Sequence, residues 1–236
     1  MSTIVERLTQ VRLRIAEAAK AAGRDPATIQ LLAVSKTHST IDLEAALAAG
    51  QKAFGESYLQ DALPKITAIG ERAEWHFIGP IQSNKTRQIA SHFAWVHSVD
   101  RLKIAQRLSE QRPPELPPLN VCLQVNTSGE NTKGGILPED TEKLAAAVAA
   151  LPRLRLRGLM TIPALEQDVR QQCQPFAQLR KLLEQLNTKG YALDTLSMGM
   201  SNDLEAAIAE GATLVRIGTA IFGPRSTHRE KPDVIE

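Results

Sequence analysis

The chain has 236 residues, which is enough for one large domain with a substantial core and is a common length for an α/β barrel. Its 28 basic and 26 acidic residues leave a formal net charge of +2. Such a balance offers no electrostatic basis for binding nucleic acid or an anionic membrane surface. We therefore expect small molecules, or anions that are bound locally, as partners.

The pattern of the chain excludes further classes of protein. Cys122 and Cys173 are the two cysteines, and their spacing predicts neither a disulfide framework nor a zinc site, so no metal site is expected. No apolar stretch has the length of a transmembrane helix, and the N-terminus lacks the apolar core of a signal peptide. These features predict a cytoplasmic protein.

Residues 1–24 predict an amphipathic helix that precedes the first strand. Its apolar residues recur every three or four positions from Ile4 to Ala22, and Gly23 ends it. Asp25 and Pro26 then have the pattern of an N-cap followed by proline at the first helical position, which predicts a short helical turn.

From residue 31 onward, short apolar runs alternate with helical segments. The predicted strands are 31–36, 52–56, 75–80, 93–99, 119–125, 156–162, 195–198 and 214–217. The predicted helices are 40–50, 58–69, 84–91, 100–110, 139–150, 169–187 and 202–210. Eight strands, each but the last followed by a helix, predict a (β/α)8 TIM barrel as a single domain over 1–236, with 226–236 as a flexible tail. An open, doubly wound sheet is the alternative fold.

Lys36 ends the first predicted strand, whose apolar residues from Leu31 to Val34 indicate burial on both faces. Parallel α/β folds place their chemistry at the C-terminal ends of strands, because the loops that leave them converge there. A desolvated lysine at this position can lose its proton and form a Schiff base with an aldehyde. The alternative is a solvated lysine that only terminates a strand.

The turn after the seventh strand, residues 199–205, is suited to binding an anion. Its glycine and Ser201 lead into a predicted helix, where Asn202 and Glu205 have the spacing of a capping box. The free amide groups of such a helix start favour a phosphate. An ordinary strand-to-helix turn is the alternative interpretation.

The turn after the eighth strand supplies a second half of the same site. Gly218 permits close approach of a ligand, and Thr219 offers a hydroxyl donor. A lysine, a two-part phosphate site and Arg216 at one end of a barrel together suggest pyridoxal 5′-phosphate (PLP). An arginine that faces the pyridine nitrogen keeps this nitrogen unprotonated, which makes the cofactor a poorer electron sink. An arginine tied in a structural ion pair is the alternative.

Several stretches of the chain resemble, in order, those of the pyridoxal phosphate homeostasis protein family, single-domain relatives of the alanine racemase barrel. The resemblance covers nearly the whole chain. The matching stretches are 32–37, 54–58, 75–85, 157–160, 197–203 and 215–219.

The resemblance implies a PLP-binding barrel of fold type III. It implies that Lys36 holds PLP covalently as an internal aldimine, that Arg216 faces the pyridine nitrogen, and that Ser201, Gly218 and Thr219 bind the phosphate. Ser57 is a departure, since the family has asparagine at this position, near the ring hydroxyl of the cofactor. Serine is shorter, so the contact is expected to be lost or bridged by water.

Two other residues have weaker interpretations. His76 alternates with apolar neighbours, which favours a hydrogen-bonded core histidine over a general base. Lys133 lies in a predicted mobile loop, 126–135, and could form a second transient imine or guide cofactor transfer. A solvated loop lysine is the favoured interpretation.

The resemblance implies a carrier of PLP that buffers the free cofactor and maintains vitamin B6 and amino acid homeostasis, and not an enzyme. A racemase of this barrel type draws a tyrosine acid/base from a second domain, and the chain has no length for one. Its tyrosines, Tyr58 and Tyr191, lie after the second strand and before the seventh. No catalytic residue is therefore assigned. The expected recipients of PLP are PLP-dependent enzymes that lack their cofactor. The protein is expected to be a monomer. An amino acid racemase or lyase with weak activity, and a Schiff-base aldolase without cofactor, are the alternatives.

Overall fold

A computed structural model describes residues 2–130, 133–164, 166 and 168–224 of the chain. In these ranges, eight parallel strands form a closed barrel in sequence order, and the eighth strand pairs with the first. The barrel confirms the predicted fold and excludes the open sheet. The strands are β1 Gln30–Val34, β2 Ala53–Glu56, β3 Glu74–Phe77, β4 Trp95–Val99, β5 Leu119–Gln124, β6 Leu154–Met160, β7 Thr195–Ser197 and β8 Leu214–Ile217.

Helices cover the outside of the barrel, and most of them connect successive strands. They are α1 Ile4–Ala21, α2 Thr40–Ala48, α3 Leu59–Ile69, α4 Thr86–His92, α5 Leu102–Gln111, α6 Thr141–Ala149, α7 Val169–Thr188, α8 Leu204–Ala209 and α9 Thr219–Phe222. Most boundaries differ from the predicted ones by one to three residues. The prediction that no helix follows the last strand was wrong, because α9 begins directly after Gly218. Its four residues are too few for a periodic apolar pattern to show in the sequence.

The N-terminal helix covers the outside of the barrel where β8 meets β1. Thr3 and Glu6 form a capping box at its start, and its apolar stripe buries Leu8, Val11 and Ile15. This stripe packs mainly against α8 and α9. The predicted turn after it is also present, since the Asp25 side chain accepts a hydrogen bond from the amide of Ala27.

The two faces of the strands differ in character. Outward residues such as Phe54 and Trp75, whose rings lie 5.9 Å apart, join one large apolar cluster with the surrounding helices. Inward residues form two small apolar clusters, one around Leu32 and Leu214 and the other around Trp95. The remaining interior is polar, and its side chains are described below.

Some predictions concern residues outside the described ranges. The predicted tail, 226–236, lies there, as do residues 131 and 132 of the loop predicted to be mobile. Among the described residues, no helix combines the length and apolar character needed to cross a bilayer. The same residues contain no group of three histidine, cysteine or acidic side chains arranged to hold a metal ion.

Candidate functional site

Lys36 lies at the C-terminal mouth of the barrel, two residues beyond the last residue of β1. The amide of Ser35 still donates to the carbonyl of Gly55 at 3.0 Å, so the strand pairing continues to this point. Side-chain alternation places Leu32 and Val34 of β1 on the inner face, and Lys36 follows in the turn directly after the strand. Lys36 is half-buried at this end of the barrel.

The turn after Lys36 has a strained backbone. Thr37 has φ of 68°, and no other non-glycine residue in the described part of the chain has a positive φ. This conformation is unfavourable for a β-branched residue. It is held by a hydrogen bond from the His38 amide to the Ser35 carbonyl, at 3.1 Å, and by stacking of the His38 ring on Phe222 of α9 at 4.9 Å. Strain of this kind is typical of functional sites.

A buried ion pair fixes the backbone just before Lys36. The amine of Lys65 on α3 donates to the Ser35 carbonyl and to Glu56 Oε1, both at 2.8 Å. The Ser35 hydroxyl donates to the same carboxylate oxygen at 2.6 Å. Burial raises the pKa of Glu56, and the charge of Lys65 opposes this effect. These three side chains lock the end of β1 to β2 and α3.

Arg216 lies inside the barrel on β8, with only 4% of its surface exposed. Its Nη1 donates to the Ser197 carbonyl at 2.6 Å and to the Ser197 hydroxyl at 2.9 Å, and its Nη2 donates to the Thr161 carbonyl at 2.8 Å. Burial lowers the pKa of Arg216 to about 10, and the charge of Asp203 opposes this shift. The guanidinium is thus still charged at neutral pH, with three of its five N–H groups engaged by these bonds.

The turn between β7 and α8 differs from the sequence prediction. The predicted capping box of Asn202 and Glu205 was wrong, because α8 begins after Asp203 and has no side-chain cap. The carboxylate of Asp203, 6% exposed, instead accepts from the Met200 amide at 2.5 Å, and Glu205 pairs with Arg14 of α1. A hydrogen bond within the turn and a long-range ion pair with α1 therefore replace the predicted cap.

The half-buried Ser201 lies in this same turn. Gly199 begins the turn with φ of 94°, and its carbonyl accepts from the Arg216 amide at 2.9 Å. Since α8 has only six residues, its dipole is small, and an anion here depends on the turn amides and the Ser201 hydroxyl.

The turn between β8 and α9 lies against the end of β1. A Cβ atom on Gly218 would come within 3.2 Å of the Val34 carbonyl, so the glycine allows this close approach. Thr219 begins α9, and amides in the first turn of a helix have no acceptor within the helix. The pairing of β1 with β8 thus brings Gly218 and Thr219 next to the strand end that carries Lys36.

Ser57 follows β2, the other neighbour of β1, and is half-buried. A Cβ atom on Gly79 would lie 2.1 Å from the Ser57 carbonyl, so the loops after β2 and β3 are in direct contact. The structure places Ser57 at the mouth of the barrel, and its role as a ligand stays a prediction. The role of Lys133 also stays a prediction. Its backbone amide donates to the Glu130 carbonyl in the loop after β5.

Sequence reasoning missed part of the barrel interior. His76 is buried with partners on both ring nitrogens, as expected of a core histidine. It contacts His97, which contacts Ser197 and, through it, Arg216. Neither His97 nor Ser197 was predicted. Polar residues at inward positions of apolar strands are the signal that could have identified them.

Comparison with known proteins identifies relatives of the chain. The profile of the family described as "Alanine racemase, N-terminal domain" matches residues 7–226. A Pseudomonas aeruginosa protein named "Pyridoxal phosphate homeostasis protein" is 65% identical over 226 residues, covering 95% of this chain and 97% of the relative. An Escherichia coli protein of the same name is 54% identical over 229 residues, covering 95% and 98%.

Solved structures show the same fold. PipY of Synechococcus elongatus, solved with PLP bound, has a TM-score of 0.81 and 35% sequence identity, covering 94% of this chain and all of PipY. Alanine racemase from Corynebacterium glutamicum has a TM-score of 0.69 at 17% identity, covering 94% of this chain and 62% of the racemase. At this identity, the racemase shows the fold alone.

Proposed function

The chain belongs to the pyridoxal phosphate homeostasis protein family, and from this premise we propose that it binds PLP at the mouth of the barrel and acts as a non-catalytic carrier. It would buffer the free cofactor and thereby maintain vitamin B6 and amino acid homeostasis. The observation that carries the proposal is the convergence of Lys36, Arg216 and the Gly218 turn, which the pairing of β1 with β8 brings to one end of the barrel.

The residues at this end fit the cofactor. Lys36 is a half-buried lysine at the mouth of the barrel, Arg216 is a buried cation inside it, and Gly218 gives a turn free of side-chain bulk. When bound, PLP supplies an electrophilic aldehyde and a ring that can delocalise negative charge. Lys36 would be the covalent attachment point and Arg216 would face the ring nitrogen. A separate group, the turn residues Ser201, Gly218 and Thr219, would hold the phosphate.

Ser57 is the last of the proposed PLP-binding residues and would lie near the ring hydroxyl of the cofactor. Its role has the weakest support of the set. Its hydroxyl reaches less far than the asparagine of the family. The loop after β2 is held in place by its contact with Gly79, so the backbone has little freedom to move the hydroxyl closer.

The positions of the tyrosines support a non-catalytic role. Rapid proton exchange at an amino acid α-carbon needs a second acid/base opposite the lysine. Tyr191 precedes β7 and therefore lies toward the end of the barrel away from Lys36. Tyr58 follows Ser57 at the same end as Lys36, but it is 49% exposed and so is not enclosed in the barrel interior. The cationic Arg216 also disfavours a protonated pyridine nitrogen, which weakens the ring as an electron sink.

Purified protein tests the proposal directly. We expect a visible absorption band, and mass spectrometry after borohydride reduction should locate one pyridoxyl phosphate group on Lys36. The Lys36→Arg variant should lose this group, whereas the matched Lys133→Arg variant should keep it. A colourless wild-type protein, or a group located elsewhere, would contradict the proposed site.

A panel of L-amino acids separates carrier from enzyme. The loaded protein should show no racemisation or decarboxylation above free PLP, and robust turnover of any member would favour the racemase or lyase. Transfer of the cofactor to a PLP-dependent enzyme that lacks it would support the proposed partners. We further propose that the protein is monomeric and cytoplasmic, which light scattering and cell fractionation can test.

A further inference from the structure

A continuous line of hydrogen bonds crosses the barrel interior. It starts at Glu74, the first residue of β3. The carboxylate of Glu74 lies 2.9 Å from His76 Nε2. His76 Nδ1 lies 2.9 Å from His97 Nε2, and His97 Nδ1 lies 2.8 Å from the Ser197 hydroxyl. The Ser197 hydroxyl then accepts from Arg216 Nη1 at 2.9 Å. We call Glu74, His76, His97 and Ser197 the interior relay.

The two ends of the interior relay determine where its protons lie. Burial lowers the pKa of His76 and lowers that of His97 well below its usual value, so both rings are neutral near pH 7. Contact with His76 lowers the pKa of Glu74, so this carboxylate is ionised and can only accept. His76 must then carry its proton on Nε2, which leaves Nδ1 as an acceptor.

The same reasoning continues along the line. His97 must donate from Nε2 to His76 Nδ1, which leaves His97 Nδ1 as an acceptor for the Ser197 hydroxyl proton. The Ser197 hydroxyl proton points toward His97, so the lone pairs of the hydroxyl oxygen point toward Arg216 and accept its hydrogen bond. Every donor in the line points from Arg216 toward Glu74, and no ring needs a positive charge.

The rings of the interior relay are held by packing. His76 stacks on Trp95 with centroids 5.4 Å apart and an angle of 4° between the rings. The guanidinium of Arg157 covers the indole of Trp95 at 4.7 Å. His76, His97 and Ser197 are completely buried. A buried hydrogen-bond network with a single direction of donation is rigid, because reversing one bond would leave another group unpaired.

We propose that the interior relay positions Arg216 for the cofactor, by holding the Ser197 hydroxyl as an acceptor for the guanidinium. Glu74, His76 and His97 act through Ser197 and are positioning residues. The cofactor-facing role of Arg216 rests on the proposed function, whereas the order of protons in the relay does not.

Nitrogen NMR of the PLP-free wild-type protein tests the order of protons. The chain has five histidines, so labelled histidine gives few signals. His76 and His97 should both be neutral and protonated on Nε2 at pH 7. An Nδ1 proton on either ring, or a charged ring, would overturn the proposed direction. This measurement needs no variant and no cofactor.

Variants of His97 test the positioning of Arg216. His97→Leu removes the acceptor, while His97→Asn keeps a carbonyl oxygen close to the position of Nδ1. The matched control is His92→Leu, because His92 is exposed on α4 and contacts only the Gln88 carbonyl among the interactions described. Loss of one buried hydrogen bond should make hydrogen exchange of the Arg216 N–H groups about tenfold faster in His97→Leu. His97→Asn and His92→Leu should remain close to wild type.

The loaded protein gives an independent readout. His97→Leu should release PLP about five- to tenfold faster and shift its visible band, whereas His97→Asn should restore both. Unchanged Arg216 exchange in a folded His97→Leu would overturn the proposal. If His97→Leu does not fold, Ser197→Ala and Ser197→Thr, which remove and keep the hydroxyl, provide the same comparison. Wild-type protein that binds no PLP would refute the proposed function, yet the proton order would still be measured.

Discussion

The outer and inner faces of the same eight strands have different chemistry. Outward residues such as Phe54 and Trp75 pack into one large apolar cluster beneath the helices. Inward residues include His76, His97 and Arg216, which are buried and connected by hydrogen bonds. Because every strand contributes to both faces, the outer face can stabilise the barrel while the inner face holds polar groups for a ligand.

This comparison predicts the largest loss of stability on the outer face. Phe54→Ala removes a fully buried ring and should lower the free energy of unfolding by about 3–5 kcal/mol. Denaturant unfolding measures this loss. At a temperature where the variant is folded, pyridoxyl phosphate should still be found on Lys36 after reduction. Loss of the label from folded protein would show that the two faces are not separable.

The ion pair of Glu56 and Lys65 is the polar exception on the outer face. Lys65→Met leaves a buried carboxylate without its cation and should cost about 3 kcal/mol. The double variant Glu56→Gln with Lys65→Met should recover most of this loss, because no uncompensated charge remains. Denaturant unfolding of the three proteins provides the check. A double variant as unstable as the single one would show that the loss does not come from the unpaired charge of Glu56.

Arg216→Met tests the inner face. We expect stability to change by less than about 2 kcal/mol, since lost hydrogen bonds and relief of a desolvated charge oppose each other. PLP affinity should fall more than about tenfold, because the buried cation that we propose to face the ring is lost. Spectroscopic titration with PLP measures the affinity. Arg170→Met, at the exposed start of α7, is the matched control. Wild-type affinity in Arg216→Met would remove Arg216 from the site.

The smallest effect concerns pH. The pKa of His97 is lowered in the folded protein, so the unfolded chain, with a pKa near 6.5, binds more protons as the pH falls below this value. The stabilisation from neutral His97 is therefore present above pH 6.5 and is lost at lower pH. Between pH 7 and 5.5, His97→Leu should lose about 1 kcal/mol less stability than wild type. Equal slopes in denaturant titrations would show that His97 is not held neutral.

Much of the fold could be predicted from the sequence, because the apolar runs and helical periods are local. Each of the eight predicted strands overlaps an observed strand. The failures have two different causes. The four-residue α9 is shorter than one period of a helical pattern, and the capping box of Asn202 and Glu205 was displaced by contacts of Asp203 and Arg14.

The candidate site was predicted in part. Five of the predicted residues lie at or just after strand ends, and the barrel brings these ends together at its mouth. Parallel folds concentrate chemistry at this end for the same reason. The residues are Lys36, Ser201, Arg216, Gly218 and Thr219. The strained Thr37, the lock of Lys65 on Ser35, and the interior relay were not predicted. Each depends on contacts between residues that are distant along the chain.

By itself, the sequence determined the order of the eight strands and of the helices between them, the lysine just after β1 and the two small-residue turns after β7 and β8. These features follow from side-chain periodicity and from the backbone preferences of single residues. Only the tertiary structure decided which side chains meet inside the barrel. Closure of β8 onto β1 places Arg216 beside Leu32, and His97 reaches Ser197 across 100 residues of chain. Strand alternation specifies that a residue faces inward, whereas barrel closure specifies what it faces.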